Sequence, residues 1–219
     1  MSRREQLQAI VLRSFDVGDA DRFCICLTRE HGRIAARAKG VRKMGSHMGG
    51  CLLPFHRVML DITESSAGFI VTGAQLARGF PPTADIRSFA AAHEATELVI
   101  ALLQEEDPLP EVFDALETFL AEHLDAPEAA YQAFTFHLLF LLGFLPDSDV
   151  LGSFGTCGIE EQTFIAAAIQ GECAEVSLPT LKQVRVIATT LLSEHLLSPL
   201  KATPVAAELN ISKSFDTVA

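Results

Sequence analysis

Tryptophan is absent from this 219-residue sequence and tyrosine occurs once, as Tyr131, so any flat side chain available for stacking has to come from its fifteen phenylalanines. Long apolar runs are absent too. The longest, Phe134 to Leu145, is interrupted by His137 and falls short of the about 20 residues that a bilayer-spanning helix requires. Cysteine is sparse and odd in number, at positions 24, 26, 51, 157 and 173, which excludes a dense disulfide framework and makes reduced thiols the expectation. Met1 to Gln6 carries basic side chains but leads into no apolar stretch with a small-residue cleavage site, so a cytoplasmic protein without a membrane segment is expected. Signatures of catalysis are also missing. Gly40 to His47 has glycines and basic residues, yet Lys43 precedes Met44-Gly45 in the wrong order for a phosphate cradle. The segment HEATE, His93 to Glu97, has one histidine where a zinc protease needs two a turn apart, and no G-x-S-x-G element occurs. The expectation is a protein that is not an enzyme and has no catalytic residues.

Positive charge is in deficit overall, with 17 Lys and Arg against 28 Asp and Glu. Divided along the chain, the balance changes sign. Residues 1–61 hold eleven Lys and Arg against six Asp and Glu, a balance of +5, and the remainder carries −16. A basic segment of this kind can neutralise phosphates, whereas the acidic remainder would repel them.

The first eighty residues read as short strands separated by turns. Gln8 to Arg13, Phe23 to Thr28, Ile34 to Lys39, Phe55 to Thr63 and Phe69 to Leu76 alternate or nearly alternate in polarity. Arg29 to Arg33 is a hairpin connection, and Val41 to Gly50 is a flexible basic loop. Five short strands suit a small closed Greek-key barrel such as the OB-fold, because closure removes exposed edges; an SH3-like barrel is the alternative. The pair Pro81-Pro82 marks a boundary, which predicts a first domain over 1–80 and a helical domain over 81–219. There the period becomes helical, with stripes from Ile86 to Leu103 ending at Asp107-Pro108, from Pro110 to Leu124, from Glu128 to Leu145 and from Pro179 to Leu197, and a short turn after Pro204. Apolar residues circle most of the third helix, which places it centrally in an all-α bundle. The expected fold class is therefore α+β, with an N-terminal OB-fold barrel followed by a helical bundle.

Single-stranded nucleic acid is held by cations that track phosphates and by flat side chains on which bases stack. Arg33, Arg37 and Lys39 project from one face of the third strand, Arg42, Lys43 and His47 lie in the loop beyond it, and Arg13, Arg22 and Arg29 lie near strand ends. These nine are the candidate DNA-binding residues. Phe15, Phe23 and Phe55 are read as core residues in preference to stacking platforms.

The order of the N-terminal segments resembles the RecO family. The residues that carry the resemblance are AIVLRSFDVGDADRF (Ala9 to Phe23), LTREHGRIAARAKGVRK (Leu27 to Lys43) and GGCLLPFHRVMLDI (Gly49 to Ile62), with weaker likeness in FHLLFLLGFLPD (Phe136 to Asp147) and HLLSPLKATPVAAEL (His195 to Leu209). The resemblance implies a recombination mediator acting in DNA repair. Such a protein would bind single- and double-stranded DNA, anneal complementary strands, contact the single-strand-binding protein and join RecR to load the RecA recombinase at the nucleoid. It further implies a groove in the helical domain for the acidic, apolar C-terminal tail of the single-strand-binding protein, for which Lys182, Arg185 and Lys201 are the candidate cations. Many members carry a zinc site of four cysteines in two C-x2-C pairs. Here Cys157, in GSFGTCG, has Phe154 three residues earlier and Cys173 has no C-x2-C partner, so the site is degenerate and no metal or other cofactor is expected. The alternative reading is a structural adaptor whose OB-like barrel binds protein and not DNA.

Overall fold

The computed structural model describes residues 4–66, 68–79, 85–122, 126–145, 157–196, 198 and 200. The chain folds as two compact units, the first taking in Met1–Thr83 and Leu103–Glu117, the second Ala84–Leu102 and Thr118–Ala219.

The first unit is a closed barrel of five strands, β1 (Arg4–Val17), β2 (Asp21–Thr28), β3 (Gly32–Ala38), β4 (Arg57–Ser65) and β5 (Gly68–Arg78), in the order β1-β2-β3-β5-β4 with β4 closing back on β1. All neighbours are antiparallel except β3 and β5, which is the strand order of the OB-fold and excludes the SH3-like alternative. Alternation fixes what faces inward. Ile34, Ala36 and Ala38 of β3 meet Cys24 and Cys26 of β2, Val58, Leu60 and Ile62 of β4 and Val71 of β5 in the core.

β1 is longer than its pattern predicts because it serves two partners: Arg4 to Ile10 pairs with β4, and Ala9 to Val17 pairs with β2. The register slips between Val11 and Arg13, so both Val11 and Leu12 are buried and the strand bends around the barrel. The turn into β2 follows Val17 and opens on Gly18, at φ +58. β4 starts two residues later than predicted. The Phe55 amide donates to the Val11 carbonyl at 2.7 Å and the Val11 amide to the His56 carbonyl at 2.9 Å, which holds Phe55 at φ +70 with its ring buried at the bulge.

The stretch after β3, expected to be a flexible loop, is anchored. Val41 and Leu52 are buried in the barrel core, and Arg22 Nη1 donates to the carbonyls of Gly49 at 2.9 Å and Leu52 at 3.3 Å.

Burial sets the chemistry of the core thiols. It pushes the Cys24 thiol up to about 11, against a smaller opposite pull from Arg22, and raises Cys26 as well. Little thiolate is present at neutral pH, so in a native labelling time course these two thiols are expected to react only as the barrel opens. Rapid labelling of all five cysteines would contradict this.

Residues 103–117 belong to the barrel unit. The first helix, α1 (Ile86–Leu102), ends before the Asp107 expected from its period. The reason is competition from β3: Arg33 Nε donates to the Leu103 carbonyl at 3.0 Å, the Glu106 amide donates to the Arg33 carbonyl at 2.9 Å, and Arg33 and Glu105 form a parallel bridge. Gly32, at φ +65, is what permits this approach, since a Cβ there would lie 1.9 Å from the Asp107 carbonyl oxygen.

The second unit is built on α3 (Pro127–Leu141), which packs against α1, α4 (Ile159–Ile169) and α5 (Leu178–His195). Pro127 sits in its first turn, and ten of its fifteen residues are buried, as a helix apolar on nearly every face requires. It stops short of the predicted Leu145 because Gly143, at φ +72, closes its C-terminus. α5 is opened by Ser177, whose hydroxyl accepts the Thr180 amide. α2 (Pro110–Glu122) begins in the first unit, and its Phe119 meets Phe134 of α3 at 5.1 Å between ring centroids. α4 was not expected: it has no side-chain cap at Gly158, and Phe164, Ile165 and Ala168, the buried residues whose spacing marks it, span little more than one turn. Ile86 and Phe89, counted in the buried stripe of α1, are instead exposed. The expected turn after Pro204 lies outside the described residues. No described helix is long and apolar enough to cross a membrane.

Candidate nucleic-acid interface

The nine candidate cations separate into two groups at opposite ends of β2 and β3. At the hairpin end, Arg29 forms an ion pair with Asp114 and lies 5.9 Å from the centroid of the Phe113 ring, and Arg33 reaches Glu105 at 3.2 Å in addition to the Leu103 carbonyl. Arg57 on β4, which is not among the nine, makes the same kind of link through Glu117 at 2.6 Å and also bonds the Gln8 side chain at 2.6 Å. These guanidinium groups fasten residues 103–117 to the barrel. The segment brings six acids with it, so the barrel unit as folded contains twelve Lys and Arg against thirteen Asp and Glu.

The other group surrounds the β1–β2 turn. Arg22 bonds Asp16 at 3.0 Å, Arg42 bonds Asp16 at 3.3 Å and the Gly18 carbonyl at 3.1 Å, and Arg37 bonds Asp21 at 2.7 Å. Lys39 and Lys43 are exposed, with the aliphatic stem of Lys43 running beside Gly40. Arg13 is exposed on β1. Arg22, Arg37 and Arg42 thus bond Asp16 and Asp21 at this end, Lys39 acts on Asp21 through space, and Lys43 and Arg13, the latter four residues up β1 from Val17, have no ion-pair partner among the described residues. His47 is exposed farther along the loop.

Asp21 organises this end. It accepts the Gly40 amide at 2.8 Å and two Arg37 nitrogens, and these bonds, the Gly40 amide foremost, hold its carboxyl below the usual carboxylate range. A depressed folded-state value means that this carboxylate stabilises the fold at and above the ordinary carboxylate range, and that the contribution is lost as pH falls through the lower, folded value. An NMR titration is expected to give Asp21 a midpoint below that of an exposed aspartate, and Arg37→Ala is expected to raise it. An ordinary midpoint in both would refute the linkage.

Phe55 is buried as expected, and Phe23 is half-buried. Phe15 is not a core residue: it is 46% exposed, because the bulge at Leu12 turns Arg13 and Phe15 outward.

In the helical unit a cleft of about 500 Å³ is lined by Arg87, Glu94, Glu128, Gln132, Leu181 and Arg185, among others. Arg185 lies 3.1 Å from Glu128 and 3.9 Å from Glu94. Burial, with Glu94 adding to it, pushes the Tyr131 phenol upward. Of the three cations expected to receive an acidic tail, Arg185 lines this cleft, Lys182 is exposed on α5 and does not, and Lys201 lies outside the described residues. Arg87 supplies a cation to the cleft that the sequence pattern did not single out.

Among the described residues no three His, Cys, Asp or Glu side chains, Cys157 and Cys173 included, are grouped so as to hold a metal ion, and burial raises both thiols in the metal-free protein.

Residues 1–80 match the family model described as "Recombination protein O N terminal", and residues 83–190 the one described as "Recombination protein O C terminal". A protein of Myxococcus xanthus named "DNA repair protein RecO" is 32% identical over 206 residues, covering 92% of this chain and 84% of the relative. A Bifidobacterium longum protein of the same name is 34% identical over 179 residues, covering 79% of this chain and 74% of the relative.

Proposed function

The chain belongs to the recombination protein O (RecO) family of DNA repair proteins, and from that membership we propose a recombination mediator that grips DNA through the β1–β2 end of its barrel. It binds single- and double-stranded DNA, anneals complementary strands and, with RecR and the single-strand-binding protein, loads the RecA recombinase. It performs no covalent chemistry, and it works in the cytoplasm at the nucleoid. The observation that carries the reading is that Arg22, Arg37, Lys39, Arg42 and Lys43 lie at one end of β2 and β3, with Arg13 exposed farther up β1, and that Arg13, Lys39 and Lys43 form no salt bridge among the described residues. The C-terminal tail of the single-strand-binding protein is assigned to the helical unit, where the cleft supplies apolar wall with Arg87 and Arg185 in its lining, and Lys182 is exposed on the same helix as Arg185.

Fluorescence anisotropy with a labelled oligonucleotide over a salt series tests the reading. Binding that is tight at low salt and weakens linearly on logarithmic axes is expected, because phosphate neutralisation releases counterions. The adaptor alternative predicts no binding at the lowest salt.

A further inference from the structure

We propose that Phe15, backed by Phe23, is a stacking platform for a base of bound single-stranded DNA. The assignment rests on the DNA-binding reading above. One exposed phenylalanine is ordinary on a protein surface and decides nothing by itself. What distinguishes Phe15 is its setting. It lies directly opposite Phe23 in the β1–β2 register, and the two rings sit 5.2 Å apart between centroids with planes tilted by 36°. Phe23 in turn lies opposite Arg37 in the β2–β3 register. An outward row therefore runs Phe15, Phe23, Arg37 across three strands. Arg37 stands two strands away from Phe15, about 10 Å, and Arg13 stands two residues along β1, about 7 Å, on the same outward side of the strand.

This arrangement matches the chemistry of a single strand. The exposed face of Phe15 offers a π-surface to any base, while Arg13 on one flank and Arg37 with Lys39 on the other meet the phosphates that precede and follow it. An apolar protein partner fits poorly, since a stable protein interface takes about 800 Å² from each side, far more than one flanked ring provides. Phe23 packs beside the platform on the neighbouring strand, and Phe15 stays 46% exposed.

The absence of tryptophan makes a direct test available, because Phe15→Trp creates a single-tryptophan protein. The probes are a labelled oligo-dT and an abasic oligomer of the same length, bound to the full chain. Oligo-dT is expected to quench the emission of the Phe15→Trp protein and the abasic oligomer is not. Phe15→Ala and Phe15→Leu, the second keeping apolar bulk without a π-face, are expected to weaken oligo-dT binding about fivefold or more, with the salt slope and the abasic affinity unchanged. Wild-type protein that binds oligo-dT, together with both variants binding equally well and no quenching in the tryptophan variant, overturns the platform while leaving the DNA-binding reading intact. Wild-type protein that binds neither probe at any salt overturns that reading and the platform with it.

Discussion

Alanine at positions 37, 39 and 42 together is expected to lower affinity for single-stranded DNA on the order of 10²-fold at 0.1 M salt and to flatten the logarithmic salt slope by about 2. Each phosphate contact to a single strand accounts for about 0.7 of that slope, so three contacts give both figures. The ion pairs of Arg37 and Arg42 enlarge the effect. Removing these two side chains leaves Asp21 without its ion-pair partner and Asp16 with Arg22 alone, so less of the local negative charge is offset. Arg29→Ala with Arg33→Ala is the contrasting variant, since both side chains are committed to residues 103–117. It is expected to leave the salt slope unchanged and to lower the unfolding midpoint. Anisotropy across salt measures both variants, and equal slopes for the triple variant and the wild type would show that DNA meets another face.

The second large effect is on stability. Gly32→Ala is expected to cost about 2–5 kcal/mol, combining the penalty of a left-handed backbone for an L-residue with that of forcing a methyl group into occupied space. That space is filled by the Asp107 carbonyl, 1.9 Å from where the Cβ would sit, so strand and segment have to separate. Gly18→Ala is the control. It shares the left-handed backbone, at φ +58, but meets nothing within 4 Å, and is expected to cost only about 1–2 kcal/mol. Urea unfolding followed by circular dichroism separates them. Equal costs would mean that residues 103–109 do not hold against the β2–β3 hairpin.

Much of the fold was legible because it is written in local periods. Alternation in Ile34 to Lys39 and in Arg57 to Ile62 gave the barrel strands their inward faces, and the apolar circumference of Pro127–Leu141 marked the central helix of its unit. Where a segment answers to partners distant in sequence, the local period misled. The length of β1 depends on two neighbouring strands, the end of α1 on hydrogen bonds from Arg33, and the exposure of Phe15 on a one-residue slip against β2. α4 was missed because its buried residues span too short a stretch to display a period.

The candidate site shows the same division. Family, barrel and bundle, and an excess of cations in the first 61 residues all follow from the order of residues alone, because strand and helix periods and motif spacing are properties of neighbours in sequence. Which of these cations are committed to acids was decided only by the tertiary structure. Arg29 meets Asp114 across 85 positions and Arg33 meets Glu105 across 72, so a charge count along the chain assigned these acids to the helical half while folding set them against the barrel. Charges act through distance in space, and folding alone determines that distance.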